Sequence, residues 1–261
     1  MKKFPDWSKK TAIILFWLLL WQGLALMIQN QIFLVGPMDT LKALSIQAAS
    51  PEFWSAVLFS FGRISLGFFL ALTSGLATGA LSYWKPLIGE ILAPPIQCMK
   101  SIPVASFVIL ALIWTGAENL SVFISFLVVY PMIHVSTQAG LCSTDPRLLE
   151  MAHVFRVPVW KQALYIYRVS LYPYLRSSMK TALGMGLKSG IAAEVIGVPD
   201  GSVGAGLYMS KIYLSTAELF AWTLVIILIS ILFEKTFLFL LKKAAGKGVI
   251  ANDHHRNEES S

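Results

Sequence analysis

Along this chain apolar residues come in long runs, near the ~20 residues that span a hydrocarbon core, and polar residues collect between them. The first run, 11–28, is rich in Trp and Leu. Gly36–Pro37 then breaks the chain, and the spacing of apolar residues in 38–49 predicts an amphipathic surface helix. The second run, 53–82, would measure about 45 Å as a helix against a core of ~30 Å, so part of it should tilt or project. The third, 91–114, is predicted to be interrupted at Pro94–Pro95 and at Pro103, because proline removes a backbone donor. Such breaks survive in a membrane only where protein or a hydrated cavity satisfies the freed groups, which places this run inside the bundle. Residues 115–119 turn the chain back into a fourth run, 120–138. Pro173 is expected to break the approach to a fifth, 177–198, and a sixth covers 218–241. The pattern predicts an all-α polytopic membrane protein with six transmembrane helices in one domain.

One polar interval, 145–168, is too long for a simple turn. Asp145–Pro146 reads as a helix start, with a side-chain acceptor at the N-cap and a preset φ at the first helical position. Leu148, Met151, Ala152 and Phe155 then share one helical face, and Arg147, Glu150 and His153 share another. Pro158 opens a second short helix, with Trp160, Ala163, Leu164 and Tyr167 on one side and Lys161 and Arg168 on the other. Two short amphipathic helices in a basic loop form a docking device.

Charge fixes the expected orientation. Most of the 21 Lys and Arg fall in alternate loops and the two tails, which is the positive-inside pattern. The net charge of +7 is therefore a membrane signature and not one of nucleic-acid binding. Both termini are expected in the cytoplasm, with 1–10 as an N-terminal tail and 242–261 as a disordered C-terminal one. Residues 11–28 lack a small-x-small cleavage site and are read as an uncleaved anchor. Cys98 and Cys142 are read as reduced structural thiols.

The 145–168 loop resembles the EAA loop of ABC importer permeases. Its triplet is Glu150–Met151–Ala152 and its Ile position is Ile166, while Arg156 occupies the usual Gly position and Arg168–Val169 the usual Leu–Pro. The run Asp145–Pro146–Arg147–Leu148–Leu149–Glu150 is similar to the nitrate/sulfonate/taurine-type members. The resemblance implies a type I importer transmembrane domain over 53–241, with 11–28 as an additional helix. It further implies that cytoplasmic ABC ATPase subunits, using ATP and Mg, grip the loop, and that an extracytoplasmic solute-binding protein delivers the solute. This chain would carry no cofactor of its own, act as a dimer with a second permease copy, and sit with lipid around it in a bacterial inner membrane. By carry-over, Glu150 makes polar contacts to the ATPase, Ala152 permits close packing, and Leu149, Met151 and Phe155 fill the apolar part of that interface. The family's Gly serves a sharp turn at positive φ, so Arg156 implies a different turn or a strained one compensated by a charge pair with the ATPase.

Ionisable residues inside the runs mark the candidate pathway, since groups at that depth face the bundle interior or a hydrated cavity. Arg63 lies on the small-residue stripe Gly67, Ala71, Gly75, Gly79, which lets helices approach closely. Lys188 and Glu194 lie in the fifth run, about 120° apart around the helix, and Glu194 continues the stripe Ala182, Gly186, Gly190. Each has two readings, a structural partnership or a place on the solute path. His134 is read as a helix–helix hydrogen-bonder. The glycine-rich stretch 199–207 is read as an outer loop. No phosphate-binding loop, zinc motif or nucleophile elbow occurs, so an enzyme acting on its own finds no reaction centre here. The competing reading is a secondary transporter or channel without an ATPase. Arg63 and Lys188 hint at small anions such as sulfonates or nitrate, with thiamine precursors and other nitrogenous solutes equally admissible.

Overall fold

The structure is a computed structural model, and it describes residues 6–30 and 32–245. The predicted tail beyond 245 lies outside those residues. The described chain is helical: α1 (Asp6–Ile28), α2 (Pro37–Ala48), α3 (Pro51–Trp84), α4 (Pro86–Ser101), α5 (Val104–Cys142), α6 (Pro146–Val154), α7 (Val159–Gln162), α8 (Arg168–Gly197), α9 (Val203–Ile212) and α10 (Thr216–Ala245). Residues Ala163–Tyr167 are a π-helical turn that joins α7 to α8. By length and apolarity, 11–28, α3, α5 and 216–243 are each able to cross a membrane.

Prolines and caps set several of these boundaries. Ser50 caps α3 by accepting from Phe53 N at 3.3 Å, with Pro51 in the first turn. Ile102, before Pro103, is extended (φ −71°, ψ 127°), the conformation that a following proline favours, and this separates α4 from α5. The expected break at Pro94–Pro95 is absent, and α4 runs through both. Pro173 likewise lies within α8 and does not break it. Proline tells only that a donor is missing; whether the helix continues depends on what packs around the freed carbonyl.

α5 is a hairpin. Gly116 takes φ 70°, ψ 168°, outside the helical region, and divides the element into limbs 104–115 and 117–142. Phe107 and Phe123 are sixteen residues apart, about 24 Å along a straight helix, yet their rings stack at 6.1 Å. Val108 and Ala111 of the first limb share a buried cluster with Leu120 and Ile124 of the second. The predicted return of the chain at 115–119 is thus present, and the run 91–114 is two helices meeting at Ile102–Pro103.

The core is built by α3, the second limb of α5, and α8. α3 buries Ser60, Ile64, Gly67, Phe68, Ala71, Gly75 and Gly79, a helical stripe whose Gly67, Gly75 and Gly79 lie against α5. The approach is close: a Cβ on Gly67 would lie 2.3 Å from the backbone oxygen of Val122. α8 contributes Ala182, Leu183, Gly186, Leu187 and Gly190 from one face. In lipid such small-residue faces associate through packing itself. α10 covers one end of this core through Trp222 and Val225, with Trp222 against Phe53 at 4.7 Å. α1 is tied to the rest of the chain near its C-terminal end, where Trp21 Nε1 donates to the carbonyl of Val35 at 3.0 Å and its ring lies 5.7 Å from that of Phe220.

Candidate functional site

The predicted docking loop folds as one short helix, α6, and a second, α7, that does not end within the loop but continues through the π-helical turn into α8. Asp145 caps α6 by accepting from Arg147 N at 2.9 Å. At the other end Arg156 N–H donates to His153 O at 3.0 Å and Val157 N–H to Ala152 O at 2.9 Å. These are the two crossed bonds of a Schellman cap, which places Arg156 at the position that glycine usually fills. Its φ is 49°, in the left-handed region. Pro158 then starts α7, and Gln162 Nε2 donates to Val157 O at 2.7 Å, which fastens the joint.

This joint presents an apolar surface outward. Met151 is 50% exposed, Phe155 75%, and Val154, Val159 and Trp160 more than 60%. Glu150, Arg147, Arg156 and Lys161 are exposed around them, and Lys161 Nζ lies 5.4 Å from the Trp160 ring. Leu149 is half-buried. Ala152 is buried, at 1% exposure, and its carbonyl accepts from Val157 N in the cap that closes α6. Val154 and Val159 were missed because helical spacing alone does not say which neighbouring face the bundle covers.

The three intramembrane candidates do not converge. Arg63 is bound to Glu118 across the hairpin turn at 2.6 Å and lies 4.3 Å over the Phe59 ring. It is a paired charge. Lys188 is exposed on the open face of α8. Glu194 is fully buried at the opposite face, where its Oε2 accepts from Ser60 Oγ at 2.6 Å and from Gly204 N at 3.3 Å. Ser60 Oγ in turn accepts from Val203 N at 2.9 Å. The Glu194 side chain thus stands at the start of α9, among N–H groups that have no partners within their own helix. Ser121 lies beside the same carboxylate, and Arg63 is within electrostatic reach. The loop expected over 199–207 is therefore half helix, with Ser202 as the N-cap of α9. Ser60 was not singled out from sequence. A serine on an apolar stripe reads as ordinary helix packing until its partner, more than 130 residues away, is known.

His134 Nδ1 meets Thr78 Oγ1 at 2.9 Å, and Tyr130 OH donates to the same hydroxyl at 3.1 Å. That is the helix–helix link expected of it. Cys98 and Cys142 are free and exposed. Among the described residues no group of three or more His, Cys, Asp and Glu is placed to hold a metal.

Comparison with known proteins bears on the chain as a whole. The chain is 24% identical over 220 residues to the taurine transport system permease protein TauC of Escherichia coli (strain K12), covering 82% of this chain and 80% of that protein. It is 26% identical over 149 residues to the nitrate import permease protein NrtB of Synechococcus elongatus, 57% of this chain and 53% of the relative. With the bicarbonate transport system permease protein CmpB of Synechocystis sp. it shares 28% over 163 residues, 62% of this chain and 57% of the relative. The chain resembles the permease subunits of ABC transport systems. These relatives are transport permeases and not enzymes, and the helical, apolar architecture fits a polytopic membrane protein. The matches with the nitrate and bicarbonate permeases span little more than half of those proteins. No protein-family model matches the chain.

Proposed function

We propose that this chain is the permease subunit of an ATP-driven importer, and that separate cytoplasmic ATPase subunits drive it by gripping α6 and α7. The observation that carries this reading is the surface at the α6–α7 joint. Met151, Val154, Phe155, Val159 and Trp160 lie open together, ringed by Arg147, Glu150, Arg156 and Lys161. A contiguous apolar patch with a polar rim marks a docking surface. The permease relatives supply the kind of partner, since a subunit without its own phosphate-binding loop needs one that burns ATP with Mg.

In this reading the chain crosses the membrane six times, through α1, α3, the α4–α5 limb, the second limb of α5, α8 and α10. The alternating Lys and Arg then put both termini in the cytoplasm. Two chains form the pathway, an extracytoplasmic binding protein delivers the solute, and small anions are the solute class, drawn by Lys188. The relatives named for taurine, nitrate and bicarbonate support that class.

Copurification from native membranes tests the proposal. The unaltered chain should bring down an ATPase subunit, and Phe155→Ser with Trp160→Ser should lose it while eluting as the same folded species. An unaltered chain that brings down no ATPase under any nucleotide condition favours the ATPase-free transporter and ends this reading.

A further inference from the structure

The first N–H groups of a helix have no partners within it. In α9 they are satisfied by three separate sources. Ser202 Oγ accepts from Ala205 N at 2.9 Å, Ser60 Oγ of α3 from Val203 N at 2.9 Å, and Glu194 Oε2 of α8 from Gly204 N at 3.3 Å. The Ser60 hydroxyl then donates to the same Glu194 oxygen at 2.6 Å. One hydroxyl and one carboxylate oxygen therefore bind α3, α8 and α9 together.

This junction is tight but not relaxed. A Cβ on Gly204 would stand 2.2 Å from Glu194 Cβ, so the backbones of α8 and α9 meet directly. Glu194, with 0% exposure, is held through Oε2 by Ser60 and Gly204, while the buried Ser121 hydroxyl lies beside the same carboxylate. Val198, which follows α8, has φ 47°, a left-handed conformation that a β-branched residue adopts only under constraint. Strong bonds alongside backbone strain suit a two-state element, because the strain offsets part of what the bonds contribute.

A mechanical connection also runs to this point. From Val159 to Gly197 the chain is helical without interruption, through the π-helical turn at Ala163–Tyr167. Trp160 on the docking surface and Glu194 at the junction are thus two points on one rod, about 50 Å apart. π-helical turns recur at functional positions in helices.

We propose that Ser60 and Glu194 are positioning residues of a latch that seats α9 against α3 and α8, and that α9 unseats during the transport cycle. This inference rests on the permease reading above. Ser60→Ala removes both the acceptor for Val203 and the donor to Glu194, so it opens the latch. Glu194→Gln keeps an oxygen for Ser60 and Gly204 and an amide NH2 that can donate to the neighbouring Ser121 Oγ, so it holds the latch shut.

The test is maleimide labelling of a buried probe, Val203→Cys (Val203 is 1% exposed), in the full chain with Cys98 and Cys142 replaced by Ser. In the detergent-purified chain, Ser60→Ala should speed labelling about tenfold, the factor that loss of a buried hydrogen bond supplies. Ser60→Thr, which keeps the hydroxyl, should restore the slow rate, and Glu194→Gln should leave it unchanged or slower. Equal rates with Ser60 and with Ser60→Ala overturn the latch, whether or not any ATPase copurifies. In proteoliposomes containing the copurified ATPase, ATP with vanadate should raise labelling in the Ser60 background towards the Ser60→Ala rate. Protection in every nucleotide state there overturns the unseating of α9, and this arm needs no variant of Ser60 to fold.

Discussion

Arg156→Gly probes the joint of the docking surface in isolation. The left-handed region costs a residue with a Cβ about 1–2 kcal/mol relative to glycine, and Arg156 is held there at φ 49°. Glycine removes that cost but frees the unfolded turn, which offsets about 0.4–1 kcal/mol. The net is about 0.5–1 kcal/mol in favour of the capped turn. The N–H groups of residues 156 and 157 close the cap, at 3.0 and 2.9 Å. Their exchange with solvent should therefore slow about two- to fivefold, the factor corresponding to that free energy. Hydrogen-exchange mass spectrometry on peptides spanning 153–160 of the purified chain reads it directly. Arg156→Ala supplies the contrast, since it deletes the charge and keeps the Cβ, and should give no slowing. Exchange that is unchanged or faster in Arg156→Gly would refute the cap as the origin of the strain. The same two variants test the proposed charge pair, which both of them delete. If complex assembly and transport-coupled ATP hydrolysis are intact in Arg156→Gly, Arg156 makes no such pair.

Three further outcomes follow from the packing. Gly67→Val places atoms against the backbone oxygen of Val122, which no rotamer relieves; a loss of about 1–3 kcal/mol or more should appear as lower yield of monodisperse protein, while Gly62→Ala, where nothing lies within 4 Å, should behave as the unaltered chain. Arg63→Ala, Glu118→Ala and the double variant should differ from the unaltered chain by about 0–1 kcal/mol in thermal unfolding, because Glu118 is 56% exposed and such pairs are screened; uptake that collapses in Arg63→Ala but not in Glu118→Ala would return Arg63 to the solute path. Lys188→Met should leave thermal stability unchanged and raise the KM for an anionic solute in proteoliposomes, and an unaltered KM would remove Lys188 from the pathway.

What was legible in the sequence was what short-range chemistry decides. Asp145–Pro146 announces a helix because the cap and its first N–H lie two residues apart, and the demand for a left-handed residue at 156 follows from the turn itself. The stripe Gly67, Ala71, Gly75, Gly79 is buried as its spacing requires. Long-range facts were not legible. Pro94, Pro95 and Pro173 lie inside helices, because the cost of a missing donor is decided by the surrounding bundle. α9 was read as loop because two of its three capping groups come from Ser60 and Glu194, on other helices.

α8 shows why the bundle needs more than one copy of this chain under the proposed reading. One face, carrying Ala182, Leu183, Gly186, Leu187, Gly190 and Glu194, is buried in the core. The opposite face leaves Lys180, Thr181, Met185, Lys188 and Ala192 open. In water such a face is unremarkable. In a membrane an ammonium facing acyl chains is costly, and polar residues at that depth meet protein or a hydrated cavity. α10 and α1, with Leu228, Ile231, Leu232 and Phe16 exposed, are suited to lipid where α8 is not. Under the proposed reading the polar wall is turned inward in the assembly, and a second permease copy supplies the opposing wall. A cross-link between Lys188→Cys residues of two copies in native membranes would support this arrangement, and a fully active chain that is monomeric there, with Lys188 labelled by a lipid-phase reagent, would contradict it.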